Sequence, residues 1–178
     1  MQPIGRQPRA PARDDDPLEM MLTCHQRIRE HVTLAARLPG ASAAGGEAIV
    51  DAAARLARYF TVGLPLHATD EELLLRPRLE RAGDDPEIAR AVTAMAAEHV
   101  PIHAAAEALV PAWEAVAGEP GRLVELATSL AAGAARLAEL LEPHLAVEER
   151  LIFPLIDTRI DAAGRAALAR EMRERRGR

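Results

Sequence analysis

Apolar positions recur at three- and four-residue intervals along most of the chain, and nowhere do they alternate over a strand-length run. From Pro17 to about Leu38 they form one stripe: Leu18, Met21, Leu22, Ile28, Val32 and Ala35. Asp16-Pro17 supplies a cap and a proline for the first turn, so a first helix is expected there. Small residues from Pro39 to Gly46 interrupt the pattern. A second helix is expected from about Glu47 to Arg76, with a kink at Pro65. Gly83-Asp84-Asp85-Pro86 is a stop followed by a cap, and a third helix follows to about Ala117. Gly118 to Gly121 makes the next turn, a fourth helix continues to about Ile156, and a short helix begins near Asp161. Four long helices on short connections predict an all-α, up-down-up-down bundle over 17–157. Residues 1–16 read as a disordered arm and 158–178 as a C-terminal helix with a basic tail.

The pattern repeats. The second helix carries a histidine, His67, followed by Glu71, Glu72, Leu74, Leu75 and Pro77; the fourth carries His144, then Glu148, Glu149, Leu151, Ile152 and Pro154, at identical offsets. Each copy is preceded by a helix with histidine on its core side, His25 before the first and His99/His103 before the second. The chain reads as two copies of one αα-hairpin facing each other.

Composition narrows the function. Ala, Leu, Arg and Glu dominate, hydrophobic residues make up 49% and aromatics 2%, which suits helices rather than strands. The net charge of −5 is spread along the chain; Arg173, Arg175, Arg176 and Arg178 read as a solvated helix end. With no basic face and few aromatics, nucleic-acid binding is not expected. One cysteine, Cys24, excludes an internal disulfide and is expected to be a packed helix residue. No apolar run has the length of a membrane span, and the first residues lack a signal-peptide core. A soluble, cytoplasmic protein without membrane partners is expected, as a monomer or weak homo-oligomer.

Five of the six histidines fall at metal-ligand spacings. In His67/Glu71, His99/His103 and His144/Glu148 the partners are four residues apart, so both side chains leave one helix face a turn apart. Imidazole suits iron, zinc or copper, and carboxylates can bridge two cations. On the first helix His25 lies within the apolar stripe and His31 at its flank, so His25 is the expected ligand. Pro65, Pro101 and Pro143 each lie within two residues of a candidate ligand; they either tune ligand spacing or simply curve long helices.

These motifs, His25, His67-xxx-Glu71, His99-xxx-His103 and His144-xxx-Glu148, resemble the hemerythrin-like (HHE cation-binding) domain over residues 17–157. The resemblance implies a bundle holding two non-haem iron ions with an oxo or hydroxo bridge. His99, His103 and His144 would complete one iron, His25 and His67 would hold the other and leave it a position open, and Glu71 and Glu148 would bridge. The family's oxygen carriers have an aspartate where this chain has Glu149, so the bridge on the last helix could fall on Glu148 or Glu149. They also line the pocket with aromatics, for which Phe60 and Phe153 are almost the only candidates here.

Three functions fit such a centre. The first is binding of dioxygen, a related small oxidant or nitric oxide at the open iron; five neutral imidazoles favour ferrous ions, unlike the glutamate-rich Glu-x-x-His sites of ferritin-like oxidases. The second is enzymatic, peroxide decomposition or repair of iron centres. The third is an iron- or oxygen-sensing binding module. Glu72 and Glu149, the remaining acid/base groups nearby, are expected to face solvent or to support the ligands.

Overall fold

The computed structural model describes residues 16–41, 46–83 and 85–177; apart from Asp16, the expected N-terminal arm lies outside them. The described residues form helices and turns with no strand. Helix α1 (Pro17–Arg37) is capped by Asp16, whose Oδ1 accepts from the Leu18 N–H at 2.9 Å. The second rod consists of α2 (Gly46–Arg58), α3 (Leu64–Asp70) and α4 (Arg76–Arg81), separated by π-helical turns at Tyr59–Gly63 and Glu71–Leu75. Helix α5 (Pro86–Gly118) is the third rod. The fourth is α6 (Leu123–Val147), a π turn at Glu148–Ile152 and α7 (Pro154–Arg159). A final helix, α8 (Ala162–Arg176), is capped by Asp161.

The second rod runs past Pro77 to Arg81, further than the proline suggested. The π turns explain why. Proline offers no N–H and its ring crowds the carbonyl four residues back. Here the residue before each proline reaches back five residues instead: Leu64 N–H to Tyr59 O, Arg76 to Glu71 and Phe153 to Glu148. The widened turn absorbs the proline and the rod continues. At Pro65, where a kink was expected, the structure therefore has a π turn just upstream. Pro101 and Pro143 lie inside α5 and α6.

Two apolar cores show the antiparallel order. One joins Ile28 and Ala35 of α1, Leu56 and Phe60, Leu109 and Trp113 of α5, and Leu130 and Leu137 of α6. The other joins Leu18 and Met21, Leu75 and Leu79, Val92 and Met95, and Ile152 and Ile156, and is closed by Leu168 and Met172 of α8. Each rod thus contributes one end to each core, as an up-down-up-down bundle requires. Gly133 lets α6 approach α5 closely, since a Cβ there would collide with Leu109.

Helix α8 is not merely a solvated end. It packs on α1, α3 and the Glu71–Leu75 turn. Arg176 Nη2 donates to Asp70 Oδ2 at 2.9 Å, and Arg175 Nε lies 3.6 Å from Asp70 Oδ1. Asp70 is fully buried, and desolvation raises its pKa to about 6 even against these two guanidinium groups. Reading the arginines as solvated therefore fails for these two, because a buried carboxylate calls for a cation.

Candidate metal centre

Between the two cores the bundle carries a polar layer. In α1, His25 sits between Met21 and Ile28; in α5, His99 sits between Met95 and Ile102 at the same offsets. His67 and Glu71 come from the second rod, His144 and Glu148 from the fourth. All six side chains are buried. Their donor atoms make two overlapping groups, each within 4.8 Å: His25, His67, Glu71 and Glu148, and Glu71, His99, His144 and Glu148. Both glutamates belong to both groups. Glu71 Oε1 lies 3.3 Å from His67 Nε2, and its Oε2 lies 3.2 Å from His99 Nε2. Glu148 reaches His25 Nε2 at 3.2 Å with Oε2 and His144 Nε2 at 3.1 Å with Oε1.

The two shared glutamates open the two matching π turns, Glu71–Leu75 and Glu148–Ile152. Such turns recur at functional sites. A wider turn also separates consecutive side chains by a smaller angle, so both members of each Glu-Glu pair reach the site. Glu72 Oε1 accepts from His99 Nδ1 at 2.7 Å, and Glu149 Oε1 from His25 Nδ1 at 2.9 Å. Glu98 Oε2 accepts from His144 Nδ1 at 2.9 Å. With one ring proton held on Nδ1 by a carboxylate, Nε2 is the atom aimed inward and the one that a cation would take. Arg29 Nη1 in turn holds Glu149 at 2.6 Å.

What the layer lacks is hydrogen-bond partners for its inward-facing atoms. His25 Nε2, both nitrogens of His67, His99 Nε2 and all four oxygens of Glu71 and Glu148 are buried without a hydrogen-bond partner. Buried polar atoms are ordinarily paired, and the seven of these that face one another, all but His67 Nδ1, fit cations that these imidazoles and carboxylates would coordinate. Without a cation the groups share protons, and their pKa values move far from the ordinary ones. Desolvation is the largest influence on Glu148 and, with the facing Glu71 carboxylate, raises it to about 8. For Glu71 desolvation also pushes upward, but His67, His25 and His99 outweigh it and hold the group below the usual carboxylate range. Burial opposes charge on His25 and His99, yet their glutamate partners raise both to about 9. Burial lowers His67 to about 4.

Of the seven residues expected from the sequence, six converge. His103 does not join either group: it is half-buried, its ring 6.3 Å from that of His99 and nearly perpendicular to it. His31 is placed elsewhere, stacked on Tyr59 at 3.6 Å, with Nδ1 donating to Arg27 O and Nε2 accepting from Arg55. Glu148 rather than Glu149 is shared by the two groups. Phe153 packs on His25 at 4.6 Å, whereas Phe60 stacks on Trp113 in the larger core. The supporting carboxylates carried a sequence signal: each is the chain neighbour of a candidate ligand.

A helical bundle with a buried histidine–carboxylate layer that two cations could share defines a bundle-type metal-binding protein. The chain matches the Hemerythrin HHE cation binding domain over residues 16–156 and belongs to that family. No curated protein matches the chain. Among the described residues no helix is long and apolar enough to cross a membrane.

Proposed function

We propose that the chain is a non-haem di-iron protein that binds dioxygen, or a related small oxidant or nitric oxide, at an open position on one iron. The observation that carries this reading is the pair of overlapping donor groups sharing Glu71 and Glu148. Two carboxylates common to two histidine pairs suit two adjacent cations; a single tetrahedral zinc would use four ligands and leave the rest unpaired. Imidazole-rich coordination suits iron, and two ferrous ions would supply the two electrons that reduction of dioxygen to the peroxide level consumes.

The chain's residues then divide the work. His25 and His67 would hold one ion, His99 and His144 the other, with Glu71 and Glu148 shared between them. By the family resemblance His103 would be a further ligand of the second set, although its ring stands outside both donor groups. The repeat explains why one position stays open: Met21, His25 and Ile28 recur as Met95, His99 and Ile102, and in that register the place of His103 is taken by Arg29. Arg29 cannot ligate; it holds Glu149. Phe153 against His25 helps to exclude water. Peroxide turnover is the second reading, but it asks for a free acid/base group, and Glu72 and Glu149 already accept from imidazoles. Binding is favoured over turnover.

Azide tests the open position. The oxidised, iron-loaded protein should bind one azide per centre and gain a charge-transfer band in the visible. A protein that ignores azide while holding two irons has no open position and a structural or storage role instead. Rapid decomposition of added peroxide would move the assignment to the enzymatic reading.

A further inference from the structure

The four converging imidazoles differ in what stands behind them. Three donate Nδ1–H to a carboxylate: His25 to Glu149, His99 to Glu72 and His144 to Glu98. Each carboxylate lies on a neighbouring rod and is adjacent in sequence to a proposed ligand. Together they form a ring of support running from the second rod to the third, the third to the fourth, and the fourth to the first. The missing link would run from α1 to His67.

The repeat says which residue should supply it. With His25 in the place of His99, Cys24 stands in the place of Glu98. A thiol is a weak acceptor, burial pushes its pKa up, and Arg176 Nη2 lies 3.2 Å from its sulfur. His67 Nδ1 is left buried with no hydrogen-bond partner. Asp70, three residues along the same rod, does not replace the link, since Arg176 and Arg175 of α8 take its carboxylate. A carboxylate behind an imidazole fixes its tautomer and orientation and raises its basicity. His67 lacks all three, and when Nε2 ligates a metal its Nδ1–H stays buried and unpaired, at a cost.

We infer that the two cation positions are unequal: the one on His99 and His144 binds tightly and fills first, and the one on His25 and His67 binds weakly because Cys24 stands where a carboxylate would support His67. The inference rests on the two-cation reading above. It places the exchangeable ion at the position proposed to be open. His103 lies on the tight side and would add to the difference, so the test uses variants that leave His103 untouched.

Metal-free full-length protein is titrated with cobalt(II) and followed by its visible absorption. Wild type should bind two ions in steps separated by roughly ten- to a hundredfold in affinity, the usual effect of a supporting partner. Cys24→Glu should strengthen the second step by roughly tenfold and leave the first unchanged, while Cys24→Ala alters neither. Glu72→Gln should weaken the first step and draw the two together. It carries the test alone if Cys24→Glu fails to fold. Two equal steps in wild type, or a folded Cys24→Glu and a Glu72→Gln that bind as wild type does, overturn the inference and leave the two-cation reading standing. Saturation at one ion overturns both.

Discussion

Replacing Glu148 by methionine separates what the centre is for from what holds the bundle together. Both Glu148 oxygens are buried without a hydrogen-bond partner, on a side chain with no exposed surface. An unsatisfied buried polar group costs roughly 1–3 kcal/mol. Removing Glu148 does not strand the imidazoles it touches, since His25 keeps Glu71 and Glu149 and His144 keeps Glu98, so an apolar side chain of similar volume relieves that cost without breaking a buried pair. Methionine is unbranched, adapts to irregular gaps and is close to glutamate in length. A gain of about 2 kcal/mol moves the urea midpoint by about 1 M for a slope near 2 kcal/mol/M. Metal-free Glu148→Met should therefore unfold at higher urea than metal-free wild type. Its pH dependence has a definite sign. The folded pKa is raised from 4.5 to about 8, so between those values the native state keeps a proton that the unfolded chain has lost. Stability conferred by that proton is complete below 4.5 and is lost as pH rises through 8. The variant lacks this loss, so its advantage should widen from about pH 5 to about pH 8. Iron should reverse the order, stabilising wild type and not the variant. The assay is urea unfolding by circular dichroism, with chelator and with iron(II) under anaerobic conditions. A metal-free variant that is less stable than wild type at pH 8 refutes the reasoning: the 3.2 Å and 3.1 Å contacts to His25 and His144 would then hold the bundle without a cation.

Further outcomes follow from the same geometry. His25→Ala should lower iron occupancy while His31→Ala leaves it near wild type, by elemental analysis; the reverse order would show that His31, not His25, serves the centre from α1. His25 and His99 are raised to about 9 in the metal-free protein, and coordination needs Nε2 bare, so loading at pH 7 should release protons and affinity should climb towards pH 9. Calorimetry in buffers of different ionisation enthalpy reads this, and a pH-independent affinity between pH 6 and 8 contradicts it. Arg176→Ala should leave Asp70 buried with only the longer Arg175 contact and destabilise by about 3 kcal/mol, with most of that recovered by pairing Arg176→Leu with Asp70→Leu. An unchanged melting temperature for Arg176→Ala would show that α8 docks through Leu168 and Met172 alone.

Much of this architecture was legible from the helical stripe, the caps at Asp16 and Asp85, and the repeated His-Glu spacing, because a bundle's periodicity and its stop signals are local. The position of His25 was legible too, since a histidine inside an apolar stripe must face the core. What escaped was set by distant partners. Pro77 looked like the end of a helix because the preceding π turn depends on the packing of the whole rod. Arg176 looked solvated because nothing near it in sequence announces Asp70, more than a hundred residues away. Support of the ligands by Glu72 and Glu149 was among the expectations, and that by Glu98 was within reach, since it neighbours a ligand candidate; the contrast of Arg29 with His103 and of Cys24 with Glu98 became readable once the register of α1 on α5 was known.

The most direct test of the central claim is the metal content and Mössbauer spectrum of the oxidised protein isolated from iron-replete cells. The account predicts two irons per chain, antiferromagnetically coupled, with the coupling lost in Glu71→Ala or Glu148→Ala. One zinc and no iron, or two irons that show no coupling in the unsubstituted protein, would contradict it.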